Sequence, residues 1–511
     1  MTGSDIYLYE RNISKCANYT VWMAFPGPES FALSSLGFLW MFKAIDEIDD
    51  INAEIVCSDT KKTRFMRSDV DLIGFSLAFD TDFLSVFAFL DKNQIPLKSD
   101  QRGDDSPLIF AGGPVVSANP QPYKDFFDFF VIGDGEDINE RIVLICKENK
   151  DKPKREILEL LSQLEGVYVP SLNNIPVNKI VKRLDKCVYT PIISENAYFK
   201  NTFILEMSRG CANRCGFCLA SYLNLPLRTV DYNDIMDTIE LGLKHTNKIA
   251  LLGAQISAHP KFNEIFEYIY KKIQNNDKIE MSVSSLRVDA IKPEIVKTLV
   301  AAGQKNVTLA IEAGSERLRK LINKNLTEEQ IFNAVKIAAD NGLKGFKFYG
   351  MIGLPTETYE DLDAMVNLAL RIKKLYRTFD ISFGFSSFVP KPNTPFQWFG
   401  REDTKSLEKK AEYLKKEMHK IGVSANFSSI KWDYWQAVLS RGDGSFTQFL
   451  IDVYQSGGKL GDFKKAAISN NINADFYAIE SYPEDAELPW DFINIKPGKE
   501  FLKAECKRLL I

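Results

Sequence analysis

Two rhythms of apolar and polar positions divide the chain. From Tyr19 to Glu148 the apolar runs TVWMAF, INAEIVC, VDLIGFSLAF, SPLIFAGG and FFDFFVIG alternate with helical spacing, clearest in FALSSLGFLWMFKAIDEI. Runs apolar at consecutive positions belong to strands buried on both faces, which predicts a parallel sheet with helices on each side. The turns FPGPE, AGGP and GDGE follow three of these runs, placing glycines where backbone can approach a ligand at the carboxyl edge of such a sheet, or where a strand merely turns tightly into a helix. No GxGxxG stands among them, which disfavours the usual dinucleotide fold.

From Phe203 to Val389 the period changes. Six β-rich runs, FILEMS, KIALLGA, IEMSVSSL, NVTLAIEAG, KGFKFYGMIG and DISFGFSSFV, are separated by helical stretches such as DYNDIMDTIELGLKH and YEDLDAMVNLALRIKKL. Six βα units fall short of the eight of a closed barrel, so an open barrel with its chemistry at the strands' carboxyl ends is expected. The predicted architecture is therefore α/β. A Rossmann-like parallel sheet spans 1–148, a connector 149–200, a partial six-strand (β/α) barrel 201–390 and a small, mostly helical unit 391–511. The connector's basic stretch KENKDKPKRE reads as a solvated face rather than an RNA patch.

Composition narrows the class without naming a partner. The 511 residues are 45% apolar and 12% aromatic, ample for packed cores and unlike a disordered chain. No apolar run reaches the roughly 18 residues of a membrane span. The opening Met1-Thr-Gly-Ser-Asp lacks the basic and apolar regions of a signal peptide, so a cytoplasmic location without membrane contact is expected. A net charge of −4 gives no support to a broad nucleic-acid footprint. His245, His259 and His419 are the only histidines, too few for a histidine-rich metal site or a histidine-based hydrolase.

The eight cysteines carry the chemistry. Cys16, Cys57, Cys146, Cys187 and Cys506 are scattered, whereas Cys211, Cys215 and Cys218 fall within RGCANRCGFC, directly after the first barrel strand. Three thiolates at this spacing can bind three irons of a cubane cluster and leave the fourth open to a substrate. A structural zinc site would need a fourth ligand, and none is close in sequence. A chance grouping of buried thiols is the remaining alternative.

Cys211-x-x-x-Cys215-x-x-Cys218, with Phe217 before the last cysteine, resembles the radical SAM superfamily. The likeness extends to SVSSLRVDA (282–290), EAGSERLRKLINK (312–324), FYGMIGLPTET (348–358), FVPKPNTPFQW (388–398) and LSRGDG (439–444), which together look like a subfamily whose barrel follows a cobalamin-binding-type domain. The resemblance implies a 4Fe-4S cluster held by Cys211, Cys215 and Cys218. It further implies one-electron reductive cleavage of S-adenosylmethionine (SAM) to methionine and a 5′-deoxyadenosyl radical. Phe217 would present its backbone to the adenine, and Gly253 would approach the methionine amino group through backbone, since LLGAQ replaces a Gly-Gly-Glu ending. Ser284 and Arg287 would reach the ribose or carboxylate, and Glu312 would face the site.

The reaction beyond radical formation stays open between cobalamin-dependent methyl transfer to an unactivated carbon, cobalamin-free modification of tRNA or protein, and a non-catalytic iron-sulfur sensor. A reductant protein such as flavodoxin or ferredoxin is the implied partner, the substrate and oligomeric state being unread. No histidine precedes His245, so cobalamin would bind without an imidazole from the first domain, its lower face left to the Phe25–Ser30 loop or to water.

Overall fold

The computed structural model describes residues 5–12, 17–275 and 278–510, with Cys16 outside them. In the first unit, β1 (Tyr19–Phe25), β2 (Ile51–Cys57), β3 (Leu72–Ser76), β4 (Leu108–Gly112), β5 (Phe129–Val131) and β6 (Val167–Tyr168) form one sheet in the order β2-β1-β3-β4-β5-β6. The first five are parallel and β6, from the stretch read as a connector, runs antiparallel to β5. The chain leaves β1 toward β2 on one side and returns to β3 on the other. Such a reversal opens a crevice at the carboxyl ends of β1 and β3, the place where open α/β sheets bind ligands.

The two faces of this sheet are buried differently. On one, Phe38, Leu39, Phe42 and Ile45 of the helix Leu36–Asp46 pack with Ile142 and Val143 of the helix Ile138–Glu148. On the other, Trp22, Phe75 and Phe87 share a core with Trp435, Phe449, Phe463 and Trp490 from the C-terminal helical region. Two of the sequence motifs, FVPKPNTPFQW and LSRGDG, staple this junction. Lys391 Nζ donates to Asp80 Oδ2 at 2.7 Å and to Ser440 Oγ at 2.6 Å, and Ser440 in turn donates to Asp80 Oδ1 at 2.8 Å. Asn393 Nδ2 donates to the Ala118 carbonyl at 2.9 Å, and Asn119 Nδ2 to that of Gly442 at 2.8 Å. The basic connector is likewise tied down, for Lys147, Lys150 and Lys154 each donate to a backbone carbonyl.

The barrel strands are β7 (Thr202–Arg209), β8 (Lys248–Gly253), β9 (Glu280–Val283), β10 (Asn306–Glu312), β11 (Gly345–Ile352), β12 (Asp380–Ser387) and β13 (Ser424–Phe427). They run parallel in two sets, β7-β8-β9 and β10-β11-β12-β13, joined by a bridge between Leu286 and Leu309. The expected six strands are present and β13 adds a seventh. Phe203, Leu205, Met207, Ile249, Leu251, Phe346 and Phe348 face the surrounding helices. A closed barrel fills its interior with branched side chains. Here the alternate, concave-face positions carry Ser282, Thr308, Lys347 and Ser382, and Leu252 and Tyr349 stay 40% and 41% exposed, so the lumen is open space.

Candidate active site

The three cysteines sit on one loop at the mouth of the barrel. β7 stops at Arg209, and Gly210 turns the chain with φ +86°, where a Cβ would stand 2.3 Å from the Asn224 carbonyl oxygen. Only glycine serves there. Cys211 and Cys215 are buried, and Cys218 precedes the short helix Leu219–Leu223, its backbone N–H donating to the Cys215 carbonyl at 2.9 Å. Burial pushes the Cys215 thiol up to about 12 while the nearby Lys324 ammonium pulls it down. Burial also raises the Cys218 thiol. Thiols held this way are protonated until a cation replaces the proton, so metal uptake releases protons.

The donor set suits a cluster. All three side chains are thiols, the donors that iron-sulfur clusters take, and three of them leave one iron of a cubane open. Cys211 Sγ lies 3.2 Å from Gln255 Oε1, which also accepts from Asn213 Nδ2 at 2.6 Å. Asn323 Nδ2 donates to the carbonyls of Asn213 at 2.6 Å and Arg214 at 3.1 Å, bracing the loop from the far side.

The strand-end residues are placed as follows. Ser284 Oγ donates to the Gly253 carbonyl at 3.2 Å, bringing the ends of β8 and β9 together. Glu312 closes β10 at φ +65°, and its carboxylate accepts from Lys324 Nζ at 3.0 Å beside Cys215. Arg287 is paired with Asp289 at 3.1 Å and reaches the Lys324 carbonyl at 3.5 Å. Phe217 is half-buried against the small apolar cluster that includes Leu318, Phe388, Phe396 and Leu509. Leu509 belongs to the helix Lys499–Leu510, so the chain's last helix braces the cysteine loop, and Arg214 lies over the Phe501 ring at 5.6 Å.

A family model described as the radical SAM superfamily matches residues 205–369, and one described as the N-terminal region of radical SAM proteins matches residues 41–170. The chain belongs to the radical SAM superfamily. It is therefore an enzyme whose cofactors are a 4Fe-4S cluster and SAM. An uncharacterized protein of Methanocaldococcus jannaschii is 33% identical over 387 residues, covering 74% of this chain and 80% of its own length. A putative methylthiotransferase of the same organism is 27% identical, covering 59% of this chain and 64% of its own. Among solved structures, the radical SAM methyltransferase TsrM from Kitasatospora setae superposes with a TM-score of 0.51 at 13% identity, covering 71% of this chain and 72% of TsrM. The cobalamin-dependent SAM radical enzyme OxsB gives 0.53 at 13% identity, covering 90% of this chain and 71% of OxsB. Among the described residues, no helix of this radical SAM enzyme is long and apolar enough to cross a membrane.

A second space opens between the first sheet and the barrel mouth. This cavity of about 530 Å³ is lined by Met23, Phe75, Phe110 and Gly112 from the sheet's carboxyl edge and by Glu206, Arg209 and Leu252 from the barrel. The sequence reading of the lower face needs correction. The Phe25–Ser30 turn does not line the cavity, and Ser35–Met41 does, with Trp40 and Met41 contributing apolar surface. Phe25 is packed instead against Phe38 beneath the sheet's edge. Sequence reasoning also missed Gln255, Asn323, Lys324 and the charged set around Arg209. Gln255, Asn323, Lys324 and Arg209 stand within LLGAQ, EAGSERLRKLINK and RGCANRCGFC without a role of their own in the sequence, and Asn323 adds the left-handed backbone, φ +60°, that asparagine tolerates.

Proposed function

We propose that this enzyme binds cobalamin beside its cluster and SAM and transfers a methyl group to an unactivated carbon of its substrate. The observation that carries this reading is the cavity joining the sheet's carboxyl edge to the open lumen. The fold is shared with TsrM and OxsB, both solved with cobalamin bound. Apolar Trp40 and Met41, partly exposed over the buried Met23, Phe75 and Phe110, offer a surface for a large planar macrocycle, and the exposed lumen positions leave room for a substrate on its other side. Together these cofactors supply a carbon-centred radical and a methyl donor. The chain's own part is to exclude water, hold the cluster through Cys211, Cys215 and Cys218, and set SAM against Gly253, Ser284, Arg287 and Glu312. A flavodoxin or ferredoxin in the cytoplasm would supply the electron.

A second reading, cobalamin-free modification of tRNA, draws on relatives such as a tRNA-2-methylthio-N(6)-dimethylallyladenosine synthase of Hydrogenobaculum, 26% identical over 235 residues. Anaerobic reconstitution with aquacobalamin separates the two. Methyl transfer calls for one tightly held corrinoid per chain, read from its visible absorbance after gel filtration. A protein that emerges colourless apart from its cluster would favour the tRNA reading.

A further inference from the structure

Lys179 is the unexplained charge of the cavity. It lies in the connector, immediately after a two-residue pairing of Val177–Asn178 with Ile493–Asn494, and lines the cavity while only 8% exposed. A buried ammonium is costly unless an anion or several acceptors meet it. Its Nζ donates to the carbonyl of its neighbour Ile180 at 3.2 Å and makes no ion pair among the described residues.

The carboxylates nearby are committed elsewhere. Arg209 binds Asp134 at 3.0 Å, Glu136 at 2.6 Å and Glu206 at 2.7 Å. Arg228 takes the second oxygen of Asp134, which also accepts from the Lys182 backbone N–H. The backbone holds Lys179 in place whatever its charge does. Gly133, at φ +110°, lets the chain pass so close to Ile180 that a Cβ would meet the Ile180 carbonyl at 2.3 Å. The Ile180 N–H donates to the Ile132 carbonyl at 3.0 Å, and the Ile180 carbonyl accepts from the Asp134 N–H at 3.2 Å. A second orphan lines the same space. Asn139, 6% exposed, has no partner for its side-chain Oδ1. The cavity thus offers an ammonium that no carboxylate pairs directly, although Asp134 lies near enough to favour its charge, and an acceptor without a donor.

We infer that Lys179 binds the phosphodiester of the cobalamin nucleotide tail, while Asn139 accepts from one of the corrin's peripheral amides. This rests on the cobalamin reading above and adds to it the residues that recognise the tail. The phosphodiester is the fixed negative charge on the periphery of cobalamin, whose remaining peripheral groups are amides that donate N–H. A lysine serves as a point charge for a phosphate without needing bidentate geometry. Burial that holds the Lys179 ammonium down, to about 8, is relieved when the phosphate arrives.

Equilibrium binding to the reconstituted, cluster-loaded protein tests the assignment with two probes, cobalamin and cobinamide, the latter lacking the nucleotide and its phosphodiester. Lys179→Met keeps the stem and removes the charge. It is expected to weaken cobalamin about ten- to hundredfold and to leave cobinamide unchanged. Lys179→Arg, which keeps the charge, should retain most of the affinity, and wild-type protein should itself prefer cobalamin over cobinamide. An unchanged cobalamin affinity in Lys179→Met, or an equal loss for both probes, would overturn the inference while leaving the cobalamin reading intact. A wild-type protein that binds neither probe would remove both.

Discussion

Arg209, two residues before Cys211, donates to Glu136 Oε1 at 2.6 Å and so joins the strand that carries the cluster loop to the GDGE turn of the first sheet. Asp134 and Glu206 complete the set around this guanidinium, and the carboxylates hold it firmly charged against the opposing effect of burial. Arg209→Met would leave partly buried carboxylates without their counter-ion. The expected loss is about 3–5 kcal/mol of stability, read by chemical unfolding. Because the same contact fixes the cavity wall, cobalamin affinity should fall with it. A variant as stable as wild type would show that the network is ornamental.

The scattered cysteines provide the control for the triad. Cys57 is buried at the end of β2, and Cys187 lies among barrel-core residues with its thiol raised to about 12 by burial. Iron and sulfide analysis after anaerobic reconstitution should show a full complement in Cys57→Ser and Cys187→Ser, and less than half in alanine variants of Cys211, Cys215 or Cys218. Retained cluster in Cys215→Ala would remove that cysteine from the ligand set.

Lys179 should make the cofactor-free protein less stable than it could be. Its pKa is lowered by burial to about 8 from 10.5, with Asp134 raising it and Arg228 and Arg209 lowering it further. A lysine with a depressed folded-state pKa penalises the folded state fully below pH 8, and the penalty fades as pH rises from 8 to 10.5. Lys179→Met is accordingly expected to stabilise the apoprotein by about 2–3 kcal/mol at pH 7. That advantage should disappear near pH 10.5. Equal melting temperatures at pH 7 would mean that the ammonium is already neutralised.

The cavity also constrains cobalt. No histidine lines it, and the described His259 is a satisfied core residue whose Nε2 lies 2.8 Å from the Val230 carbonyl. A nucleotide tail held at Lys179 would draw the corrinoid's own base toward the connector and away from the metal. Electron paramagnetic resonance of the bound cob(II) form should therefore show no splitting from an axial nitrogen. A resolved nitrogen triplet would contradict this arrangement of the tail.

Much of this architecture was legible because strands buried on both faces leave continuous apolar runs. The sheet and six barrel strands announced themselves as VDLIGFSLAF or KGFKFYGMIG, and the cysteine spacing carried its chemistry in three residues. β13 escaped because SANF is short, half polar and placed on an edge, where one partner suffices. Val167–Tyr168 lies in a stretch that reads as extended, but two residues are too few to show that it joins the sheet's edge. Lys179 was hidden for a different one. In VNKIVKR it looks like any lysine of a basic stretch, and only the meeting of Ile180 with Gly133 turns it inward. Charge partners such as Arg209 and Glu136, 73 positions apart, leave no local trace at all. The motifs KPN and RGDG were visible but their role was not, since it consists in holding Asp80 and Asn119 of another unit.

The central claim is that Cys211, Cys215 and Cys218 hold a 4Fe-4S cluster whose remaining iron takes SAM. Electron paramagnetic resonance of the dithionite-reduced protein, recorded with and without SAM, tests it most directly. The account requires a single one-electron-reduced cubane signal in the wild type whose g values move when SAM is added, and loss of that response in Cys215→Ala. A reduced cluster whose spectrum is indifferent to saturating SAM, or a SAM-responsive cluster in Cys215→Ala, would contradict it.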